Sequence, residues 1–360
     1  MKKICFIDYD MSVRGGVEQV TASLANALAD TYEVHLLSLC LTNTDIPYEL
    51  DSRIVTHAFR TEDGRLSELK RDIVPRLRRY LGDIGIEVAI IQGNYPGFVA
   101  STARFGTKTK FVFCDHGALM NQWNDKSIVV IRFLSSLFCH RVVTLTEQSR
   151  GDYMRKFFLS RRKVSCIYNW IDLANPQADT NTNDSKRLVS AGRFGKEKGF
   201  DMLVKAYAPL VERFPDWHLD IFGDGEMMDT VRTLVEEYGV GDNVHLLGMR
   251  GDLAERYKDY AFYVLPSYRE GMPLVLLEAK ANHLPIVSFD IMTGPREIVR
   301  DGIDGILVPP YELDALSNAM AMMMSNDALR TVMSKSSQEN LDVFSKDTIL
   351  GQWITLIESL

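Results

Sequence analysis

The residues best suited to chemistry lie in SYREGMPLVLLEA, Ser267 to Ala279, where two carboxylates, Glu270 and Glu278, stand either side of a helix start. The strand-like run AFYVLP precedes them, and Gly271 and Pro273 mark the start itself. Glycine lets a backbone approach a ligand. Proline at a first helical position leaves its neighbours' N–H groups, here those of Met272 and Leu274, aimed outward. Such a terminus favours an anion, phosphate above all, by roughly 0.3–1 kcal/mol at an exposed site. LVLLEA is apolar enough to bury, so Glu278 needs a partner. A pair of sugar or ribose hydroxyls would serve, and so would a structural ion pair.

A second group of charges precedes these. After the strand-like RLVSA comes GRFGKEKGF, which sets Arg193 and Lys198 in a glycine-punctuated turn before a helix. Arginine offers a planar fork to phosphate oxygens and lysine a movable point charge. The end of a strand is where an open α/β sheet binds its ligands. Either cation alone reads as part of a solvated basic loop. Two further glycine turns follow strands: Gly15 and Gly16 after KICFIDYD, and Gly223 in FGDG after WHLDI. His116 ends the strand-like KFVFCDH, and its place at a strand end favours a functional role over a structural one.

These candidates need elements to position them, and strand-like and helix-like segments alternate along the whole chain. In the first half the strands read KICFID, EVHLLSL, IVTHA, VAIIQG, KFVFCDH, RVVTLT and KVSCIYN. The helix LSELKRDIVPRLRRYL is expected to kink or split at Pro75. NWIDLANPQADTNTNDSKR loses periodicity and reads as a linker. The pattern then restarts with RLVSAG, WHLDIFGDG, VHLLGM, AFYVLPS, PIVSFD and GILVPP. The expected fold is α/β: two doubly wound parallel-sheet, Rossmann-like domains facing across a cleft.

Length and composition narrow the class. A chain of 360 residues suits two such domains. The five cysteines show no CxxC spacing and read as reduced core residues. MKKICFIDYD is too short in apolar residues for a signal peptide, and no run approaches a bilayer-spanning length. A cytoplasmic protein is expected. Residues 1–175 carry 23 Lys and Arg against 19 Asp and Glu, whereas 176–360 carry 18 against 29. That acidic second half argues against a nucleic-acid partner. In the first half, Leu69–Leu81 and Met154–Lys163 interleave cations with Leu, Ile and Phe. Each reads as a segment resting on an anionic membrane, at the inner face of the cell membrane, or as a solvated face over an amphipathic helix.

The ordered set RGGVE, GRFGKEKGF, FGDG and the Glu270/Glu278 pair resembles the retaining glycosyltransferases of family 4, over nearly the whole chain. The resemblance implies the GT-B architecture: residues 1–172 binding acceptor, a linker at 173–187, residues 188–340 binding a nucleotide-sugar donor, and 341–360 packing back on the first domain. It implies that Glu278 binds the ribose and Glu270 the sugar, and that Arg193 and Lys198 stabilise the departing pyrophosphate. Gly15 and Gly16 would close over that pyrophosphate, Met249 and Arg250 after Gly248 would meet a base, uracil favoured, and His116 would stand near sugar and acceptor. The acceptor is expected to be a glycan or a lipid-linked sugar.

This chain departs from the family where Ala281, Asn282, His283, Leu284 and Pro285 stand, and in TGPREIV, with Pro295 and Arg296 after Gly294. That loop resembles enzymes of bacterial surface-polysaccharide or glycan assembly that handle galactose or N-acetylhexosamines. No metal cluster or cofactor motif is visible, and the Arg/Lys pair would do a cation's work. A glycoside hydrolase would need paired carboxylates but no phosphate cations, and a nicotinamide dehydrogenase would need G-x-G-x-x-G in place of RGGVE. A nucleotide-sugar epimerase, or a non-catalytic scaffold subunit of a glycosyltransferase complex, is the alternative reading.

Overall fold

A computed structural model of the chain describes residues 1–62, 66–171 and 184–360, with backbone alone for 66–69. The stretch 173–187 read as a linker lies mostly outside these. The described chain forms two units, Met1–Asn169 with Asp347–Leu360, and Trp170–Lys346.

The first unit holds seven strands: β1 (Lys3–Asp8), β2 (Glu33–Ser38), β3 (Val55–Ala58), β4 (Val88–Gln92), β5 (Lys110–Asp115), β6 (Arg141–Thr144) and β7 (Val164–Cys166). They pair in parallel in the order β3-β2-β1-β4-β5-β6-β7. Parallel strands covered on both faces read as unbroken apolar runs, and KICFID, VAIIQ and KFVFCD are of that kind. The second unit repeats the plan with β8 (Arg187–Ala191), β9 (His218–Phe222), β10 (Val244–Gly248), β11 (Phe262–Leu265), β12 (Ile286–Phe289) and β13 (Gly305–Val308), ordered β10-β9-β8-β11-β12-β13. Each sheet therefore reverses direction once, between β1 and β4 and between β8 and β11. Crevices at the carboxyl ends of strands beside such a reversal are where open α/β sheets take ligands.

The helix Leu66–Ile84 runs unbroken with Pro75 inside it and exposed, so the expected split does not occur. Its apolar residues Ile73, Leu77 and Leu81 are fully buried in the first core while Arg71, Arg76 and Arg79 face solvent. Residues 70–81 thus carry a solvated cationic face over an ordinary amphipathic helix, and among the described side chains no Leu, Ile, Val or Phe of this stretch is exposed. The helix Lys346–Glu358 carries the chain into the first unit, where Glu358 accepts from Tyr32 Oη at 2.7 Å and pairs with Lys2 at 3.1 Å. Cys5, Cys40, Cys114 and Cys139 are buried thiols, Cys166 is half-buried, and none is in a disulfide. No helix of the described residues is long and apolar enough to cross a membrane.

Gly223, in the turn after β9, has φ of +130°, and a Cβ there would stand 1.8 Å from the carbonyl oxygen of Gly192. That close approach locks the turn after β9 onto the turn after β8. Gly223→Ala is expected to destabilise the protein by about 1–3 kcal/mol or more, read as a lowered denaturant midpoint at unchanged slope.

Candidate functional site

The second unit gathers the charged candidates at the reversal of its sheet. The loop after β8 passes through Arg193 to a short 3-10 turn, Lys196–Lys198, and then Gly199 caps the helix Phe200–Tyr207 in the left-handed region, at φ +68°. A Cβ at Gly199 would come within 2.1 Å of the Pro266 carbonyl oxygen, so only glycine lets this loop sit against the one after β11. The contact brings Lys198 Nζ to 2.8 Å from Glu270 Oε1, an ion pair whose side chains are mostly withdrawn from water. Ser267 Oγ donates to the same oxygen at 2.7 Å, and Thr293 Oγ1 donates to the Glu270 carbonyl at 2.7 Å. Three strand ends, β8, β11 and β12, thereby converge on one carboxylate residue.

Arg193 behaves differently. Its guanidinium is three-quarters exposed and donates to Glu197 at 2.7 Å, one turn away. Burial pushes the Glu197 carboxyl up, but Arg193 and Lys198 outweigh it and leave the group below its ordinary range. The two cations share one loop, yet only Lys198 reaches Glu270 directly.

The helix Leu274–Ala281 begins one residue later than the sequence suggested, with Pro273 as its N-cap at ψ +101° and not its first helical residue. Proline's fixed φ suits either place; the extended ψ puts it outside the helix. Met272 is buried and Leu274 half-buried at this start. Gly271 supplies the close approach from the other side: its carbonyl oxygen lies 3.3 Å from where a Cβ on Gly294, in the loop after β12, would stand.

Glu278, a turn further on, accepts from Tyr257 Oη at 3.1 Å, and among the described residues no Lys or Arg pairs with it. The structural ion pair that could have explained this carboxylate is therefore not there. Burial, the larger effect, raises its pKa against the opposing hydrogen bond from Tyr257. A carboxylate held this way keeps lone pairs for hydroxyl donors.

Gly223 N donates to the Gly248 carbonyl at 2.9 Å, tying the FGDG turn to the end of β10. Met249 and Arg250 follow there, both exposed, at the edge of the sheet with β9 between them and β8. A cavity of about 430 Å3 opens beside these loops; Glu197, Tyr268 and Arg269 line it, next in sequence to Lys198 and Glu270.

In the first unit, Gly15 is the extended N-cap of the helix Gly16–Leu28, with its N–H given to Tyr48 Oη at 2.8 Å. Open space surrounds the Cβ position of Gly16. His116 follows β5 and its Nε2 lies 2.6 Å from Gln92 Oε1 at the end of β4, the neighbouring strand beside the reversal. The amide of Gln92 offers both a donor and an acceptor, and this contact holds the His116 ring at the end of β5. Burial pushes the His116 pKa down to about 4 against the pull of Asp115, so the ring is neutral at pH 7. Among the described residues no group of three or more His, Cys, Asp or Glu side chains could hold a metal ion.

Asp8 ends β1 beneath the glycine loop, accepting from Thr21 Oγ1 at 3.1 Å. Burial, and then the charge of Glu18, push its carboxyl up to about 7. In the unfolded chain it ionises near 4, so from about pH 4 to pH 7 only the unfolded state gives up its proton. Stability from this group is full below pH 4 and is lost as pH rises through 7. Asp8→Asn is expected to remove that loss, on the order of 2–4 kcal/mol between pH 5 and pH 8, in denaturant titrations at the two pH values.

Sequence reasoning did not single out Gln92, Tyr257, Ser267 or Thr293. Ser267 and Thr293 stood in motifs already noted, and Gln92 is a polar residue closing the apolar VAIIQ. Tyr257 gave no signal, because only the fold brings it to Glu278.

Comparison with known proteins agrees with this geometry. Residues 174–340 match the family described as Glycosyl transferases group 1, and residues 14–175 match Glycosyltransferase Family 4. The chain is 29% identical over 360 residues to N-acetylgalactosamine-N,N'-diacetylbacillosaminyl-diphospho-undecaprenol 4-alpha-N-acetylgalactosaminyltransferase of Campylobacter jejuni, covering 96% of each. Among solved structures, sucrose-phosphate synthase from Thermosynechococcus elongatus superposes with a TM-score of 0.87 at 22% identity, over 100% of this chain and 99% of that one. HepE from Anabaena in complex with UDP-glucose gives 0.83 at 19% identity, over 100% of both chains.

Proposed function

We infer, for a chain that belongs to the glycosyltransferases of group 1 and family 4, that it moves a sugar from a UDP-linked donor to a glycan or lipid-linked acceptor in bacterial glycan assembly. The transfer retains anomeric configuration and needs no metal. One observation carries the reading: Lys198 and Glu270 meet at 2.8 Å across the reversal of the second sheet, with Glu278 on the helix that follows.

When the anomeric bond breaks, negative charge gathers on the leaving pyrophosphate and positive character on the sugar ring. A fixed ammonium lowers the barrier by meeting charge that exists only in the transition state. Lys198 is held for that task by Glu270 and the Gly199 contact, and exposed Arg193 adds a fork for outer phosphate oxygens. Glu270 faces the sugar and steadies its positive character. Glu278, with a single neutral donor, accepts from the two ribose hydroxyls. His116 is neutral and acts as a hydrogen-bond partner to sugar or acceptor rather than as an acid.

The uridine donor is supported by the HepE complex with UDP-glucose. An N-acetylhexosamine is supported by the name of the Campylobacter relative, and the choice between it and galactose rests on the TGPREIV loop. The test is a panel of UDP-, GDP- and ADP-sugars with and without membrane lipid extract, following nucleotide release and the glycosylated product. Release dependent on an acceptor, from UDP-sugars and undiminished by EDTA, is expected. Strict manganese dependence would overturn the metal-free mechanism. Free sugar formed without acceptor would point to an epimerase, and no release from any donor would leave a scaffold.

A further inference from the structure

The helix Lys126–Phe138 is built inside out. Its buried face holds Ile128 and Ile131 but also Arg132, Ser135 and Ser136. Its solvent face carries Val130, Phe133 and Leu137, 52%, 40% and 50% exposed, at the 3-and-4 spacing of a single stripe. A helix that only needed to cover a sheet would place these the other way round.

The stripe continues onto the loop after the helix Glu147–Lys156. The Phe133 ring lies 5.3 Å from that of Phe157, and the next residue, Phe158, is 92% exposed. Phe158 also has φ of +55°, a region where Gly or Asn is favoured and a bulky aromatic is an outlier. Neither its conformation nor its exposure serves the fold. Cations border part of this apolar ground: Lys126 and Lys156 flank Trp123, at 5.9 and 5.0 Å from its ring, and Arg161 and Arg162, three and four residues after Phe158, are exposed, as is Arg155, which pairs with Asp152 at 2.6 Å.

We propose that this surface, the stripe Val130–Phe133–Leu137 with Phe158 at its tip, seats the first unit on an anionic lipid bilayer. Charge complementarity selects that occupant. An apolar stripe with lysines and arginines at its Trp123 and Phe158 ends fits acyl chains beneath phosphate headgroups, the pairing by which interfacial segments bind. The cations reach anionic headgroups while Phe158 enters the acyl boundary. The inference stands on this surface alone and not on the donor chemistry.

The full chain is mixed with vesicles of phosphatidylcholine alone, or with equal parts phosphatidylglycerol, without nucleotide sugar, and floated on a density gradient. Binding to the anionic vesicles is expected to exceed binding to neutral ones by about tenfold or more and to weaken in high salt. Phe133→Ser with Phe158→Ser, or Arg161→Glu with Arg162→Glu, is expected to lower it about tenfold. All four positions are solvent-exposed, so thermal melts and UDP binding by calorimetry are expected to stay at the wild-type level. Three outcomes overturn the proposal: no flotation of wild type, variants that float as well as wild type, or sedimentation showing a wild-type dimer that Phe133→Ser dissociates. The last would make the patch a contact between copies. If the vesicle result fails while UDP-sugars still release nucleotide, the surface is misread and the enzyme is not.

Discussion

Lys198→Ala is expected to lower kcat about 10²–10³-fold while changing the affinity for free UDP less than tenfold. The asymmetry follows from when the ammonium does its work. In the ground state the diphosphate charge is spread over several oxygens and already met by solvent and by exposed Arg193. In the transition state one oxygen takes the bonding pair, and a point charge at the right place counts most there. The fold supports the placement, because Gly199 and Ser267 hold the lysine and its carboxylate partner from two different strands. Stability should suffer little, since Glu270 keeps its hydrogen bond from Ser267 and the pair is not fully enclosed. Lys198→Arg tests geometry apart from charge, because a planar fork cannot occupy the position of a compact ammonium. The comparison is single-turnover transfer against UDP binding by calorimetry. Equal losses in both would reduce Lys198 to an anchor.

Both sheets were legible from the sequence because parallel strands buried on two faces write themselves as short apolar runs, with glycine turns between strand and helix. GRFGKEKGF and FGDG announced where backbone must approach backbone, and Gly199 and Gly223 do stand where a Cβ would collide, whereas in RGGVE the Cβ position of Gly16 is open. What stayed hidden is what depends on the third dimension. Nothing near Glu278 in sequence foretells Tyr257, which lies 21 residues earlier. KSIVVIRFLSSLF sets Val130, Phe133 and Leu137 away from Arg132, Ser135 and Ser136, so periodicity points to the wrong face; which face turns inward is settled by Arg132 finding a carboxylate beneath the helix. Pro75 misled for a related reason. Packing of Ile73, Leu77 and Leu81 on the sheet holds the helix together across a residue that would break it in isolation.

Arg132→Met is expected to cost about 3–5 kcal/mol of stability, the largest single loss anticipated for this chain. The guanidinium is fully buried with Nε 3.0 Å from Asp115 Oδ2 and Nη2 donating to Oδ1 at 3.1 Å. Asp115 is as deeply buried, and it also accepts from Tyr153 Oη at 2.7 Å and from the Gly117 N–H at 3.1 Å. Burial first, and then the Asp115 charge, raise the Tyr153 phenol well above its usual range, so the tyrosine stays a neutral donor. Taking Arg132 away leaves one carboxylate charge in the core with only neutral donors. The apolar replacement fills volume, so the loss reads out the stranded charge more than a cavity. Asp115→Asn together with Arg132→Met removes both charges and should recover most of the stability, because the desolvation cost disappears with them. The same pair fixes the turn Asp115–His116–Gly117, so the single variant should also loosen His116 from Gln92 and let its ring protonate nearer pH 6.5, visible by NMR titration. A loss below about 1 kcal/mol, the range of solvated surface pairs, would mean that water reaches this pair and that some other contact holds the His116 turn.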